Sequence, residues 1–296
     1  MDLRQLRYFV TVADRKSISS AAAILHVAQS AISRQMRGLE EEVGGELFER
    51  SSSGVCLTQC GQLLLERARF ILREVESAAN DVSSFNREMH GTVRIAAPPS
   101  VARALYARAA ENFRAQHPKV RLELSESPTD DVLRRLSAGL LDIGIISDAP
   151  NSGFLALTPF VQERLVLLCP PGSAPAEWAR VEAPDLKELP IIISAGLRRT
   201  YVERFGELNP QIEIDGVGTA AELTCAGIGY AVLPYSTAST TGSLKGLHAV
   251  QIDGLLLSRY LALVRGRPVS LATRAFRAAI EDEAERCAAA GLFTLI

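Results

Sequence analysis

Gln29, Ser30, Ser33, Arg34 and Arg37 crowd into one short stretch, and their types match the chemistry of base edges and phosphates. Arginine can donate two parallel hydrogen bonds to guanine, glutamine can pair with adenine, and serine hydroxyls suit phosphates or either base. Ile32, Met36, Leu39 and Val43 interleave with them at steps of four, three and four. On a helix that spacing sends the apolar set inward and the polar set outward. Charge does not decide what the outer face does. Residues 1–58 carry Arg4, Arg7, Arg15, Lys16, Arg34, Arg37 and Arg50 against Asp2, Asp14, Glu40, Glu41, Glu42, Glu46 and Glu49. A DNA-reading surface and an ordinary solvated helix face both fit that balance.

The elements around this stretch narrow the choice. Leu3, Leu6, Phe9, Val10 and Ala13 recur at helical spacing, and Ser17 is placed to cap a second, Ala-rich helix that ends near His26. Val27–Ala28 then leads directly into the third helix, which the pair Gly44-Gly45 stops. Two helices joined so tightly form a helix-turn-helix, whose second helix offers its first residues to base edges. The acids Glu40, Glu41 and Glu42 fall at the far end, away from the phosphates.

Thr58 can cap a longer helix running to about Asn86. Within it Leu64, Ala68, Ile71, Val75, Ala78, Val82 and Phe85 alternate steps of four and three, a narrow seam that predicts helix pairing. A helix lying on a globular core would show a broader apolar stripe. Pairing has a use, because a two-fold dimer reads a palindrome with half-sites about 10 base pairs apart.

Beyond residue 90 the pattern changes to strands alternating with helices, TVRIAA, VRLELSE and LDIGIIS, then ERLVLLC, PIIIS, IEID, IGYAVLP and RYLALVRG. A final helix is expected from about Ser270 to Ala290. Alternation of this kind predicts a parallel α/β sheet. In such sheets ligands sit outside the carboxyl ends of the strands. Ser100, Thr129 and Ser147 fall there on one half, and Ser194 to Thr200 with Thr219 on the other. Each hydroxyl is equally explained as a helix cap or as a ligand contact.

The first sixty residues closely resemble the DNA-binding domain of LysR-type transcriptional regulators. The opening LRxLRYF, LHVAQSAISRQ, LEEEVG, LFER and the closing LTxxG all stand in order. VRIAAPPS, FRAQHPKVRLEL, LRRLSAGLLDIGI and AGIGYAVLP extend the likeness along the chain, nearest in pattern to members of the nitrogen-assimilation and aromatic-catabolism type. The resemblance implies a winged helix-turn-helix over residues 1–58 and a dimerisation helix over 59–90. It implies an effector domain over 91–296 with the two-subdomain fold of periplasmic solute receptors. Subdomain I would be 91–161 plus 266–296, and subdomain II 162–265. Gln29, Ser30, Ser33 and Arg34 would read the groove, while Arg50 and Ser52 on the wing would hold the backbone or minor groove. Ser100, Thr129, Thr200 and Thr219 would line the pocket, with Arg198 as counter-ion.

Two departures from the family pattern stand at the helix start. Ala28 replaces a serine that would cap the recognition helix, and Ser30 replaces a proline, so Ser30 is expected to share the capping.

The expected partners are an operator duplex, a second copy of the chain, a dimer of such dimers, and RNA polymerase. The expected ligand is a small molecule, with no resident cofactor. Free N–H groups at helix starts favour a carboxylate, and Asp130 and Asp131 oppose one.

The overall composition agrees. A length of 296 residues predicts two or three domains, and 47% hydrophobic with 22% charged residues is ordinary for a globular chain. The mixed charges of the opening residues and the lack of a long apolar run point to the cytoplasm, with no membrane partner. Five scattered cysteines and four histidines show no metal-ligand spacing, and neither GxGxxG after a strand nor GxSxG nor HExxH occurs. No catalytic or metal residue is therefore assigned. The competing reading is a cytosolic α/β binding protein or enzyme with an accessory DNA-binding domain.

Overall fold

The structure is a computed structural model that describes residues 1–51, 54–85, 89–148, 153–173, 179–240 and 247–296. The chain separates into two compact units, residues 1–87 with 137–140, and 88–136 with 141–296.

The first unit opens with α1 (Leu3–Arg15), held at its start by a capping box between Asp2 and Gln5. Next come α2 (Ile18–Leu25), which Ser17 caps, and α3 (Gln29–Val43). His26 closes α2 in the left-handed conformation at φ 53°, which turns the chain into α3 within three residues. Leu6, Phe9, Val12, Ala21, Ile32, Met36, Leu39 and Leu47 form the core. Val43, whose spacing predicts an inward position, is 38% exposed, because the last turn of α3 outruns that core. Strands β1 (Phe48–Ser51) and β2 (Gly54–Leu57) form an antiparallel hairpin, the wing.

Helix α4 (Gln59–Phe85) follows, and the Thr58 hydroxyl accepts from Gly61 N at 3.0 Å. Gly61 is required there, since a Cβ would collide with the Leu47 carbonyl oxygen. The expected seam divides in two. Ala68 is fully buried in the core of its own domain, with Leu64 and Ile71 packed against that core. Ala68 is thus turned to its own domain, while Leu64 and Ile71 stay half-buried. Val75, Ala78 and Val82 lie beyond it, with Val75 exposed by 45% and Val82 by 74%, while Phe85 is described at the backbone only.

The second unit is a three-layer α/β structure. Its elements run β3 (Gly91–Ala97), α5 (Pro99–Gln116), β4 (Val120–Glu126), α6 (Thr129–Ser137), β5 (Ile143–Ser147) and β6 (Leu155–Cys169). There follow β7 (Arg180–Glu182), a 3-10 helix (Ala183–Glu188), β8 (Ile191–Ile193), α7 (Ala195–Phe205), β9 (Ile212–Glu213) and α8 (Val217–Cys225). The chain ends with β10 (Tyr230–Pro234), α9 (Tyr235–Thr240), β11 (His248–Val264), α10 (Leu271–Ala289) and β12 (Thr294–Leu295).

The sheet is mixed, which corrects the expectation of a parallel one. Its order is β4-β3-β5-β11-β6-β10-β8-β9. Pairs within each half, such as β3–β4 and β8–β10, are parallel, but β6 and β11 are antiparallel to each other and to their neighbours β10 and β5. At 15 and 17 residues these two strands are long enough to belong to both halves. Their far ends pack in different cores. Val161 and Leu261 join Ile95, Leu105, Phe113 and Phe276, whereas Leu165 and Leu257 join Ile191, Leu197 and Tyr201. Leu261 packs with Ile95 and Leu105, and Ala262 with Ala96, Val132 and Leu136.

Candidate functional site

On α3 the polar face is open. Gln29, Ser30, Arg34 and Arg37 are exposed and Ser33 is half-buried. Arg34 makes no bond to another part of the chain among the described residues, while the Arg37 Nε donates to the Ser33 carbonyl at 3.4 Å. The N-cap is Ala28, and no side chain caps the helix, so the capping expected of Ser30 is absent. The first-turn N–H groups of α3 are left without a side-chain acceptor, a favourable setting for a phosphate. Arg50 lies on β1 opposite Val55, described at the backbone only, and Ser52 lies outside the described residues. Glu40, which its acidic neighbours place at the solvent-facing end of α3, turns inward instead. Its Oε1 accepts from Leu47 N at 2.9 Å and Phe48 N at 3.3 Å. That carboxylate fixes the entry into the wing. Its signal in the sequence is the position next to Leu39, masked by Glu41 and Glu42.

The second unit holds a cleft of about 700 Å³ between the two halves of the sheet. Ser100 and Thr129 reach it from the starts of α5 and α6, Ser147 and Asp148 from the end of β5, and Thr200 from α7. The Thr129 Oγ1 accepts from Ser147 N at 2.9 Å and so ties the start of α6 to the end of β5. Ser194 does cap, accepting from Leu197 N at 3.4 Å. The Thr200 hydroxyl donates to Asp148 Oδ2 at 2.9 Å, from one half of the domain to the other.

Two assigned residues are elsewhere. Arg198 donates to the Leu208 carbonyl at 3.1 Å and to Glu213 at 3.4 Å, on the flank of α7. One residue along a helix is a rotation of about 100°, so it is Arg199 that faces the cleft. There it grips Asp130 of α6 with two bonds, 3.2 and 2.8 Å. That hydrogen-bonded guanidinium holds the Asp130 carboxyl below its usual range. Asp131 is also lowered; burial pushes it up, but the Ser127 hydroxyl with Arg134 and Arg135 outweighs that. Thr219 sits on the first turn of α8, off the cleft wall, where Asp215 stands instead.

The floor of the cleft is the part that the strand pattern does not foresee. Arg259 of β11 is 2% exposed and Glu163 of β6 is 0% exposed, with Nη2 and Oε2 3.0 Å apart. The same guanidinium donates to Ser100 Oγ at 2.8 Å and to Ser147 Oγ, and Glu163 Oε1 accepts from Ser236 N at 3.1 Å. Among the described residues Arg259 Nε is a buried donor without a partner. The sequence carries a sign for Arg259 alone, the one charged residue in LLLSRYLALV, whereas Glu163 stands in the polar stretch Gln162-Glu163-Arg164.

The described residues contain no group of three or more metal-ligating side chains, and no helix long and apolar enough to cross a membrane.

Residues 3–62 match the model of the bacterial regulatory helix-turn-helix protein of the lysR family, and residues 86–285 match the LysR substrate binding domain. The chain belongs to the LysR family. As a LysR-family chain it is a transcription regulator with a DNA-binding and an effector-binding domain. It is similar to the nitrogen assimilation regulatory protein nac of Klebsiella aerogenes, 31% identical over 255 residues and 83% of each chain. Its fold matches that of a full-length OxyR variant from Pseudomonas aeruginosa at a TM-score of 0.76, with 22% identity and 99% of this chain and 98% of that one covered. It also matches full-length CbnR complexed with its target DNA at 0.67, again with 22% identity, over 97% and 99% of the two chains.

Proposed function

We propose that this LysR-family regulator reads its operator with Gln29, Ser30, Ser33 and Arg34, anchored by Arg37 and by Arg50 and Ser52 of the wing. The observation that carries the reading is the exposed, unengaged Arg34 beside the uncapped start of α3. The fold shared with CbnR, whose structure is described as complexed with target DNA, supports it. The unit that binds is a dimer joined along α4 by Val75, Ala78 and Val82. Two dimers form a tetramer on the DNA and alter access of RNA polymerase. The effector sits in the cleft against Ser100, Thr129, Ser147 and Thr200, and shifts the tetramer between DNA-bound forms. The chain works in the cytoplasm by binding, with no reaction of its own.

The test is fluorescence anisotropy of the full-length protein on fragments of its own upstream DNA, wild type against Arg34→Ala. One bidentate base contact contributes about 1–3 kcal/mol, so specific affinity is expected to fall about ten- to hundredfold while affinity for random DNA changes little. An equal loss on both would make Arg34 a backbone contact.

A further inference from the structure

The turn between α1 and α2 carries a lysine where the backbone favours glycine. Lys16 closes α1 in the left-handed conformation, at φ 50° and ψ 24°. That conformation costs free energy in any residue with a Cβ, and helices most often end on glycine there. The dipole of α1 does not account for the lysine, because Arg15 already places a cation in the last turn. The Lys16 side chain is exposed, and it makes no hydrogen bond or ion pair among the described residues. The neighbouring acid, Asp14, is engaged by Arg69 of α4. Nothing described in the chain therefore neutralises this ammonium.

The same turn is where the wing is fastened. Val55 N donates to the Lys16 carbonyl at 3.1 Å. Gly54, at φ 130°, sits so close that a Cβ would collide with that oxygen. Val55 stands opposite Arg50 in the hairpin register. Helix α2 begins directly after Lys16, and Ser17 Oγ accepts from Ser20 N at 3.3 Å. The N–H groups of Ile18 and Ser19 are left without an acceptor among the described residues. In a helix-turn-helix the first helix crosses the DNA backbone while the second enters the groove, and α2 is that first helix. Its open start, the Lys16 ammonium and the wing strand β2 thus meet at one place.

We infer that the Lys16 ammonium binds a phosphate of the operator backbone beside the wing. This deepens the operator reading given above and rests on it. A point charge on a flexible stem, outside the recognition helix, suits a phosphate oxygen and carries no base code.

Lys16→Gly separates the two properties of this position, since it removes the charge and relieves the backbone. The variant should melt at or above the wild-type temperature while binding DNA less tightly. Full-length wild type, Lys16→Gly, Lys16→Arg and Arg34→Ala are titrated onto the protein's own upstream DNA and onto random duplex, between about 50 and 200 mM salt. Each phosphate contact contributes about 0.9 to the slope of log affinity against log salt. In Lys16→Gly the slope should flatten by about that amount for each protomer engaged, alike on both DNAs, with affinity falling about five- to tenfold per contact near 0.1 M salt. Lys16→Arg keeps the charge and should restore the slope. An unchanged slope in Lys16→Gly overturns the inference, whether or not affinity falls, and a loss confined to the operator would make Lys16 a support for α3. If Lys16→Gly flattens the slope while Arg34→Ala keeps its preference for the operator, the phosphate contact stands and the assignment of Arg34 fails.

Discussion

The Arg259 guanidinium lies 3.0 Å from the Glu163 carboxylate, both side chains sealed from solvent on the two strands that run through both halves of the effector domain. From that point Arg259 reaches Ser100 at the start of α5 and Ser147 at the end of β5, and Glu163 reaches Ser236 N at the start of α9. The pair therefore pins the floor of the cleft to both halves at once.

Breaking such a pair from one side leaves a buried charge alone, which costs about 3–5 kcal/mol. Arg259→Met and Glu163→Leu should each lower stability in urea unfolding by that order. The double variant should recover most of the loss, because two well-packed apolar side chains can replace a buried ion pair at little net cost. Additive losses would mean that the two groups act independently.

The Arg199–Asp130 contact is of another kind. Its side chains are 57% and 65% exposed, so it contributes about 0.2–1 kcal/mol at most. It joins the start of α6 to α7 across the cleft. Because Arg199 depresses the Asp130 pKa, the carboxylate stays ionised at neutral pH, and whatever the bridge contributes to stability is present there. It is lost only as pH falls through that lowered value. A carbon-13 titration should place Asp130 below ordinary aspartates and return it to normal in Arg199→Ala. An unchanged midpoint in that variant would show that another group sets it.

Much of this molecule is legible from residue pattern. The spacing of Ile32, Met36 and Leu39, the caps at Ser17 and Thr58, and the glycine stop at Gly44 appear where local rules put them. What escapes such rules is set by tertiary context. Glu40 is turned inward by backbone N–H groups beyond the end of its own helix, and Glu163 by Arg259 from a different strand, partners that no local period reveals. Arg198 and Arg199 differ only in helical phase, and one residue of error exchanges them. The seam of α4 has a true apolar period, yet periodicity cannot say whether Ala68 faces its own domain or a second copy.

That division of α4 can be tested by charge insertion. Val75→Asp with Val82→Asp should leave the melting temperature close to wild type, since both positions are exposed. It should also shift the protein toward monomer in analytical ultracentrifugation. Ala68→Asp should instead unfold the DNA-binding unit, because it places an unpaired charge in its core. A dimer that survives the double substitution would move the interface away from the end of α4.

The cysteines divide in the same manner. Burial pushes the Cys169 thiol up to about 11, and it raises Cys287 as well, with Glu283 adding to the effect. Thiols of that kind carry little thiolate at neutral pH and react slowly. Maleimide labelling of the native protein should reach Cys56, Cys60 and Cys225, and should reach Cys169 and Cys287 only after denaturation. Fast native labelling of Cys169 would contradict the packing of the β6 end.

Above all, α3 is held to place a specific reading surface on DNA as part of a symmetric assembly. A footprint of the purified full-length protein on its own upstream DNA, taken across a salt series with Arg34→Ala beside it, tests this most directly. The account predicts protection of about 50–60 base pairs with a hypersensitive centre, from two dimers bending the duplex between half-sites. In Arg34→Ala that pattern should vanish. Weak, uniform protection that fades with salt alike in both proteins would contradict it, leaving only attraction to the phosphate backbone.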